Sequence, residues 1–166
     1  MKAGSSGPVA WVDGAIGWLE RIPYWLIAAT CRVALAKVFW SSAQTHLADW
    51  QTTLYMFHTD YRLPLLPPTL AAHAAVAIEL VVPPLLILGL ATRFAALTVF
   101  GMTLVIEIFV YPQAWPTHIQ WAAMMLVLMA AGAGRVSLDW LIWWWMHARS
   151  GGRGTDGAGT GSQGFK

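Results

Sequence analysis

Charge is scarce in this chain. Asp, Glu, Lys and Arg make up 11% of its 166 residues, where a soluble domain carries roughly 25%. A soluble fold of this length has too much surface to cover with so few charges. That scarcity excludes most soluble enzyme folds. Cysteine is nearly absent as well. Cys31 stands alone, with no partner for an internal disulfide and no CxxC companion, which excludes a dithiol redox centre within one chain. No basic stripe exists, and the formal net charge is only +2. Nucleic acid is therefore excluded as a partner. Met1 to Ala10 lacks the apolar core of a signal peptide. The chain is expected to stay whole, with its first membrane helix directing insertion.

What the chain has instead is apolar length. Hydrophobic residues make up 57% and the mean hydropathy is +0.54. The expected fold class is an all-α integral membrane protein, a four-transmembrane-helix bundle. Its spans are read at 23–44, 69–90, 92–111 and 116–133, each near the ~20 residues that cross a bilayer core. Lys and Arg outside the spans set the orientation. Lys2, Arg21, Arg93, Arg135, Arg149, Arg153 and Lys166 fall on one side and only Arg62 on the other. Both termini are therefore expected in the cytoplasm, with 45–68 and 112–115 facing outward. The lipid bilayer is the first partner, and in a bacterium this membrane is the inner one.

Shorter segments complete the organisation. Residues 1–22 form an N-terminal interfacial segment with Trp11, Trp18 and Leu19. The outer segment 45–68 is too long for a bare turn, and a short helix is expected from Ala48 to Phe57. Pro64, Pro67 and Pro68 after it break helix. Residues 135–149 hold an interfacial amphipathic helix, from Ser137 to Ala148, rich in tryptophan at 140, 143, 144 and 145. It is too short to span and suits the headgroup level. The Gly-rich tail 150–166 is expected to be disordered.

The informative residues are the ionisable ones inside the spans. An ion at a helix centre costs about 2.5–3.5 kcal/mol on the insertion scale, so such residues face protein and find partners. At ~1.5 Å rise per residue, Arg32 and Glu79 share a mid-membrane layer. Lys37, Glu107, His73 and His118 share the outer third. Arg32–Glu79 is the expected ion pair, since a guanidinium fork suits a carboxylate. Lys37–Glu107 is a looser one, although Lys37 can also snorkel outward. Two readings stay open for each cluster: internal cement, or a site for a polar headgroup and proton movement. A quinone headgroup needs such donors beside an apolar slot, for which Trp40 and Trp121 are the candidate ring walls.

Metal chemistry has weaker signals. His73 and His118 lie at one depth on different helices, as haem ligation would require. His46 and His58, with His73 and His118, are the candidates for copper or zinc, without compact ligand spacing. Met102, Met124, Met125 and Met129 read mainly as packing, and Cys31 likewise. Pro83–Pro84 removes backbone donors and is expected to kink the second span one turn past Glu79.

The ordered motifs resemble a known family. RVALAKVFW in the first span, AIELVVPPLLILGLATRFAAL across the second and third, and GAGRVSLDWL after the fourth are similar to the DoxX family. The recurrent marks are Glu79-Leu80, the turn Gly89, Leu90, Thr92 and Arg93, and the closing Gly132, Gly134, Arg135, Ser137, Leu138 and Asp139. PLLPPTLAA and FVYPQAWPTHIQWA resemble a subgroup found with peptide-maturation and copper-handling systems. The resemblance implies a four-span bundle in the bacterial inner membrane. It also implies a link to quinone-coupled redox or stress assemblies, because the family is named for a subunit linked to thiosulfate:quinone oxidoreduction. The chain departs from an electron carrier in having no CxxC and no cofactor motif.

Three functional readings follow. One is a quinone-interacting accessory subunit of a redox, stress-response or metal-handling system, at most a membrane subunit of an oxidoreductase. In it Arg32–Glu79 fixes the site, and Glu107 with His118 handles protons. The second is a non-catalytic scaffold that recruits a soluble or membrane protein partner. The third is a small-solute or metal transporter, disfavoured by the narrow bundle, although a homo-oligomer could create a pathway.

Overall fold

The computed structural model describes residues 8–61 and 66–150. Among these, all regular structure is helical. The helices are α1 (Pro8–Leu19), α2 (Tyr24–Ala48), α3 (Trp50–Thr59), α4 (Pro68–Leu88), α5 (Thr92–Phe109), α6 (Trp115–Ala131) and α7 (Leu138–Ser150). A short 3-10 turn, Pro112–Ala114, joins α5 to α6. The expected disorder of 150–166 lies, after Ser150, outside the described residues, as does Arg62.

Three helices, α2, α4 and α5, are long and apolar enough to cross a membrane. The protein is thus a multi-pass membrane protein. The fourth long helix, α6, has 17 residues. It packs against α5 and α2, while α4 packs against α2 and α5. The four helices close a ring around a shared core. Short α3 folds back onto α4 and α2.

Helical periodicity explains which faces meet. The buried residues of α2 are Ala28, Arg32, Leu35, Ala36, Phe39 and Ala43, three or four apart, which is one helix face. On α4 the same spacing runs through Ala72, Val76, Glu79, Val82, Pro83 and Leu86. On α5 it runs through Thr92, Ala95, Ala96, Val99 and Thr103. Many of these are alanines, and small side chains let helix backbones approach closely in lipid. The larger filling comes from Leu35, Leu86, Val99, Met125 and Leu128, all fully buried.

The turn between α4 and α5 is tightly built. Gly89 ends α4 at φ +66°, a left-handed conformation suited to glycine. A Cβ there would lie 2.5 Å from the Ser137 Cβ and 2.8 Å from an Arg32 nitrogen, so only glycine fits. Asp139 of α7 then docks on the turn. Its backbone N–H donates to the Gly89 carbonyl at 2.9 Å. Its carboxylate accepts from the N–H groups of Ala91 at 2.7 Å and Thr92 at 2.9 Å. Two of the donors left free at the start of α5 are satisfied in this way. The separated sequence marks at 89–93 and 132–139 therefore form one structural unit.

Candidate functional site: a cavity around Glu79

The polar residues inside the helices gather at two opposite ends of the ring. At the end where α2 and α5 begin, Arg32 is buried, 5% exposed. It donates to the carbonyls of Leu86 at 2.6 Å, Ile87 at 2.6 Å, Val136 at 2.7 Å and Ala133 at 3.1 Å. The fork thus ties the end of α4 to the segment before α7. This corrects the expected Arg32–Glu79 ion pair. In a helix each Cβ leans toward the N-terminus. Consecutive spans run antiparallel, so Arg32 leans toward one membrane face and Glu79 toward the other. Equal depth at Cα becomes separation at the charged atoms.

Glu79 turns instead toward the end where α2 and α5 finish. It is 2% exposed. Its Oε1 accepts from the Ser42 hydroxyl at 2.8 Å, and His46 Nε2 lies 3.8 Å from the same oxygen. Ser42 and His46 are one helical turn apart on α2, on the face that meets α4. His46 is held in turn by α3: the Thr53 hydroxyl donates to the His46 carbonyl at 2.9 Å, and Phe57 packs edge-on against the ring. Among the described residues Glu79 Oε2 has no hydrogen-bond partner.

That carboxyl borders a cavity of about 630 Å³. Its walls are mostly apolar, including Ile78, Leu97, Met102, Val105, Ile106 and Trp121. Its polar groups include Ser42, His46, Glu79 and His118, with Tyr61 and Tyr111 also on the lining. The Tyr61 and Tyr111 rings meet edge-on with centroids 5.8 Å apart. Burial, with a hydrogen bond to Tyr111 added, pushes the Tyr61 hydroxyl well above its ordinary range, so it stays protonated.

His118 is the second polar wall. Its Nδ1 lies 2.5 Å from Glu107 Oε2. An ionised carboxylate only accepts, so the ring carries its proton on Nδ1. Glu107 lies behind the ring and fixes its orientation, leaving Nε2 with no hydrogen bond among the described residues. Glu107 is thus joined to His118, not to Lys37, which is exposed. Trp121 stands beside His118 at 5.2 Å between ring centroids and edge-on to Phe39 at 6.1 Å.

Other expected site residues lie elsewhere. Trp40 is 46% exposed and is not part of the cavity wall. His73 is exposed, bonds the Thr69 carbonyl at 2.7 Å and stacks edge-on against Trp50. His58 meets the Thr69 hydroxyl at 3.2 Å. Among the described residues no group of three or more His, Cys, Asp or Glu is placed to hold a metal ion. Ser42, Tyr61 and Tyr111 were not singled out from sequence. The four-residue spacing of Ser42 and His46 on the α4-facing side of α2 was the signal that could have found Ser42.

Comparison with known proteins follows the same geometry. The DoxX sequence profile matches residues 27–112, slightly more than half of the chain. The chain belongs to the DoxX family. The matched stretch holds Arg32, Ser42, His46, Glu79 and Glu107, and it stops before His118 and Asp139. This DoxX protein is also similar to an uncharacterized protein of Haemophilus influenzae. The two are 29% identical over 118 residues, covering 62% of this chain and 76% of that protein. No solved structure matches it.

Proposed function

We propose that this DoxX protein is a four-span inner-membrane protein with both termini in the cytoplasm. In this reading it holds a quinone headgroup as an accessory subunit to a redox or stress-response partner. The observation that carries the reading is the buried, half-satisfied Glu79 carboxyl facing an apolar cavity of about 630 Å³. Ligand sites of this type combine apolar walls with a few convergent polar groups. The ring position of α6 supports a fourth span, and the bias of Lys and Arg supports the orientation.

The donor set suits a ring bearing two carbonyl oxygens. Glu79, when protonated, gives one donor. His118 Nε2 gives a second hydrogen-bonding position, with Glu107 behind the ring orienting it. Trp121 supplies a flat wall. A bound quinone would bring capacity for electrons and protons that the side chains lack. The chain's own residues position the ring, exclude water and offer hydrogen bonds at Glu79 Oε2 and His118 Nε2.

The test is quinone extraction from protein purified gently out of its native membrane. Near-stoichiometric quinone in the wild type, lost in Glu79→Leu, which keeps the volume and removes the donor, is the expected result. Metal in place of quinone would overturn the reading in favour of metal handling. A soluble protein co-purifying with neither ligand bound would overturn it in favour of a scaffold.

A further inference from the structure

The opposite end of the helix ring carries a second concavity, independent of the Glu79 cavity. It is an open groove of about 750 Å³ where α2 and α5 begin and α6 ends. Tyr24, Trp25, Arg93, Arg135, Trp140 and Trp143 contribute to its walls. We propose that this groove binds the phosphate headgroup of an anionic phospholipid.

The groove is held in shape by hydrogen bonds that do not use its cations. The Tyr24 hydroxyl donates to the Gly132 carbonyl at 2.7 Å. The Ser137 hydroxyl donates to the Gly134 carbonyl at 2.6 Å and accepts from the Trp140 N–H at 3.1 Å, which starts α7. Gly134 sits at φ +78°, and a Cβ there would meet the Trp25 Cα at 3.0 Å. The aromatic walls are thereby set against one another before any ligand arrives.

The charges favour an anion. Asp139 is the acid on the lining, and both of its oxygens accept from the backbone of Ala91 and Thr92. Arg93 gives one N–H to the Ala130 carbonyl at 3.2 Å and keeps further donors. Arg135 makes no hydrogen bond or ion pair among the described residues. Two guanidinium forks on one groove match phosphate oxygens. No free carboxylate balances the two guanidinium groups, since Asp139 is engaged; the aromatic walls can hold a choline group by cation–π contact, so phosphatidylcholine is the control that isolates the charge preference.

The surroundings favour a lipid as the source of that phosphate. Trp140 and Trp143 on α7 suit the headgroup level of a membrane. Phe94, next to Arg93, is 74% exposed, and Leu97 one turn further along α5 is 51% exposed. An acyl chain hanging from a headgroup at Arg93 would run along that apolar face. Free phosphate would leave it unused. Basic pockets between membrane helices are a known form of lipid-headgroup site.

The experiment compares lipid retention by native mass spectrometry after a delipidating detergent wash. The probes are phosphatidylglycerol, phosphatidylcholine and inorganic phosphate, each added back to the full chain. Wild type is expected to retain phosphatidylglycerol selectively, with affinity falling as salt rises. Arg135→Gln should weaken it roughly fivefold and the double variant with Arg93→Gln roughly twenty-five-fold, given ~1 kcal/mol per basic residue. Arg21→Gln, outside the groove, should change nothing. Because Arg135 is exposed and without partners among the described residues, its single variant decides the matter even if the double variant fails to fold. Equal retention of phosphatidylcholine, an unchanged Arg135→Gln, or saturable binding of inorganic phosphate that displaces the lipid would each overturn the proposal.

Discussion

Asp139 caps α5 across the chain: its carboxylate accepts the backbone N–H of Thr92 at 2.9 Å and that of Ala91 at 2.7 Å. The cap lies 47 residues from the N–H of Thr92, so it joins α7 to α5 as well as ending a helix. Replacing it by alanine leaves both donors without the carboxylate. Asp139→Ala should cost about 1–2 kcal/mol, the usual worth of an N-cap carboxylate. Thermal unfolding in detergent checks this, and Asp139→Asn should retain part of the loss.

Arg32 cannot be replaced by lysine. Four carbonyls from the end of α4 and the segment before α7 converge on its flat fork. A lysine ammonium is a compact point with three donors and cannot reach all four. Arg32→Lys should destabilise by about 3 kcal/mol, since each hydrogen bond to a charged group contributes about 1.5–3. The lowered melting temperature should appear without any change at the Glu79 end, read by quinone content at a temperature where both proteins are folded.

Gly89→Ala should be as damaging as losing Arg32. The added methyl would sit 2.5 Å from Ser137 Cβ and 2.8 Å from an Arg32 nitrogen, at a left-handed φ. Overpacking of this kind costs roughly 1–3 kcal/mol before backbone strain is added. A combined Gly89→Ala, Ser137→Gly variant should recover little, because the arginine clash persists. Comparative unfolding of the three proteins settles this.

Ser42→Ala removes the one hydrogen bond that Glu79 Oε1 receives from α2. It should weaken ligand retention about tenfold, the upper end of the ~0.5–1.5 kcal/mol range for an ordinary hydrogen bond, while folding is kept. Glu79→Leu should abolish retention, since it removes the donor. If Ser42→Ala retains ligand as well as wild type does, the carboxyl is not positioned through α2.

Asp49 gives a pH prediction for the start of α3. The Thr52 hydroxyl, then the Thr52 backbone N–H, hold the Asp49 carboxyl below the usual carboxylate range. A depressed acid contributes stability that is complete above the unfolded pKa of ~3.9 and is lost as pH falls through the lower folded value. The start of α3 should therefore stay protected at pH 5 and open below about pH 4. Amide exchange of Gln51 to Leu54 against pH follows it, and Asp49→Ala should remove the dependence.

The helices were legible because prolines and glycines punctuate the apolar runs. The second span was expected at 69–90 and α4 covers Pro68–Leu88; the third was expected at 92–111 and α5 covers Thr92–Phe109. The first ran further than expected, from Tyr24 to Ala48, and the extra turn carries His46 into the site. Glu79, His118 and Trp121 were legible as candidates because an ionisable or aromatic residue in an apolar run stands out. Their partners were not. Reckoning depth at Cα ignores that side chains on antiparallel helices lean apart, and this brought Arg32 to Glu79 on paper. Backbone carbonyls as the acceptors of Arg32 leave no trace in residue identity. The role of Asp139 depends on a contact between segments far apart in sequence.

The two prolines within α4 have a mechanical consequence. Pro83 and Pro84 have no N–H to return to the carbonyls of Glu79 and Leu80, yet the helix continues through them. The hydrogen-bond ladder of α4 is thus thinnest in the turn that carries Glu79. What holds that turn comes from outside α4: the Ser42 hydroxyl on the Glu79 side and the Arg32 fork on the Leu86 and Ile87 carbonyls beyond the prolines.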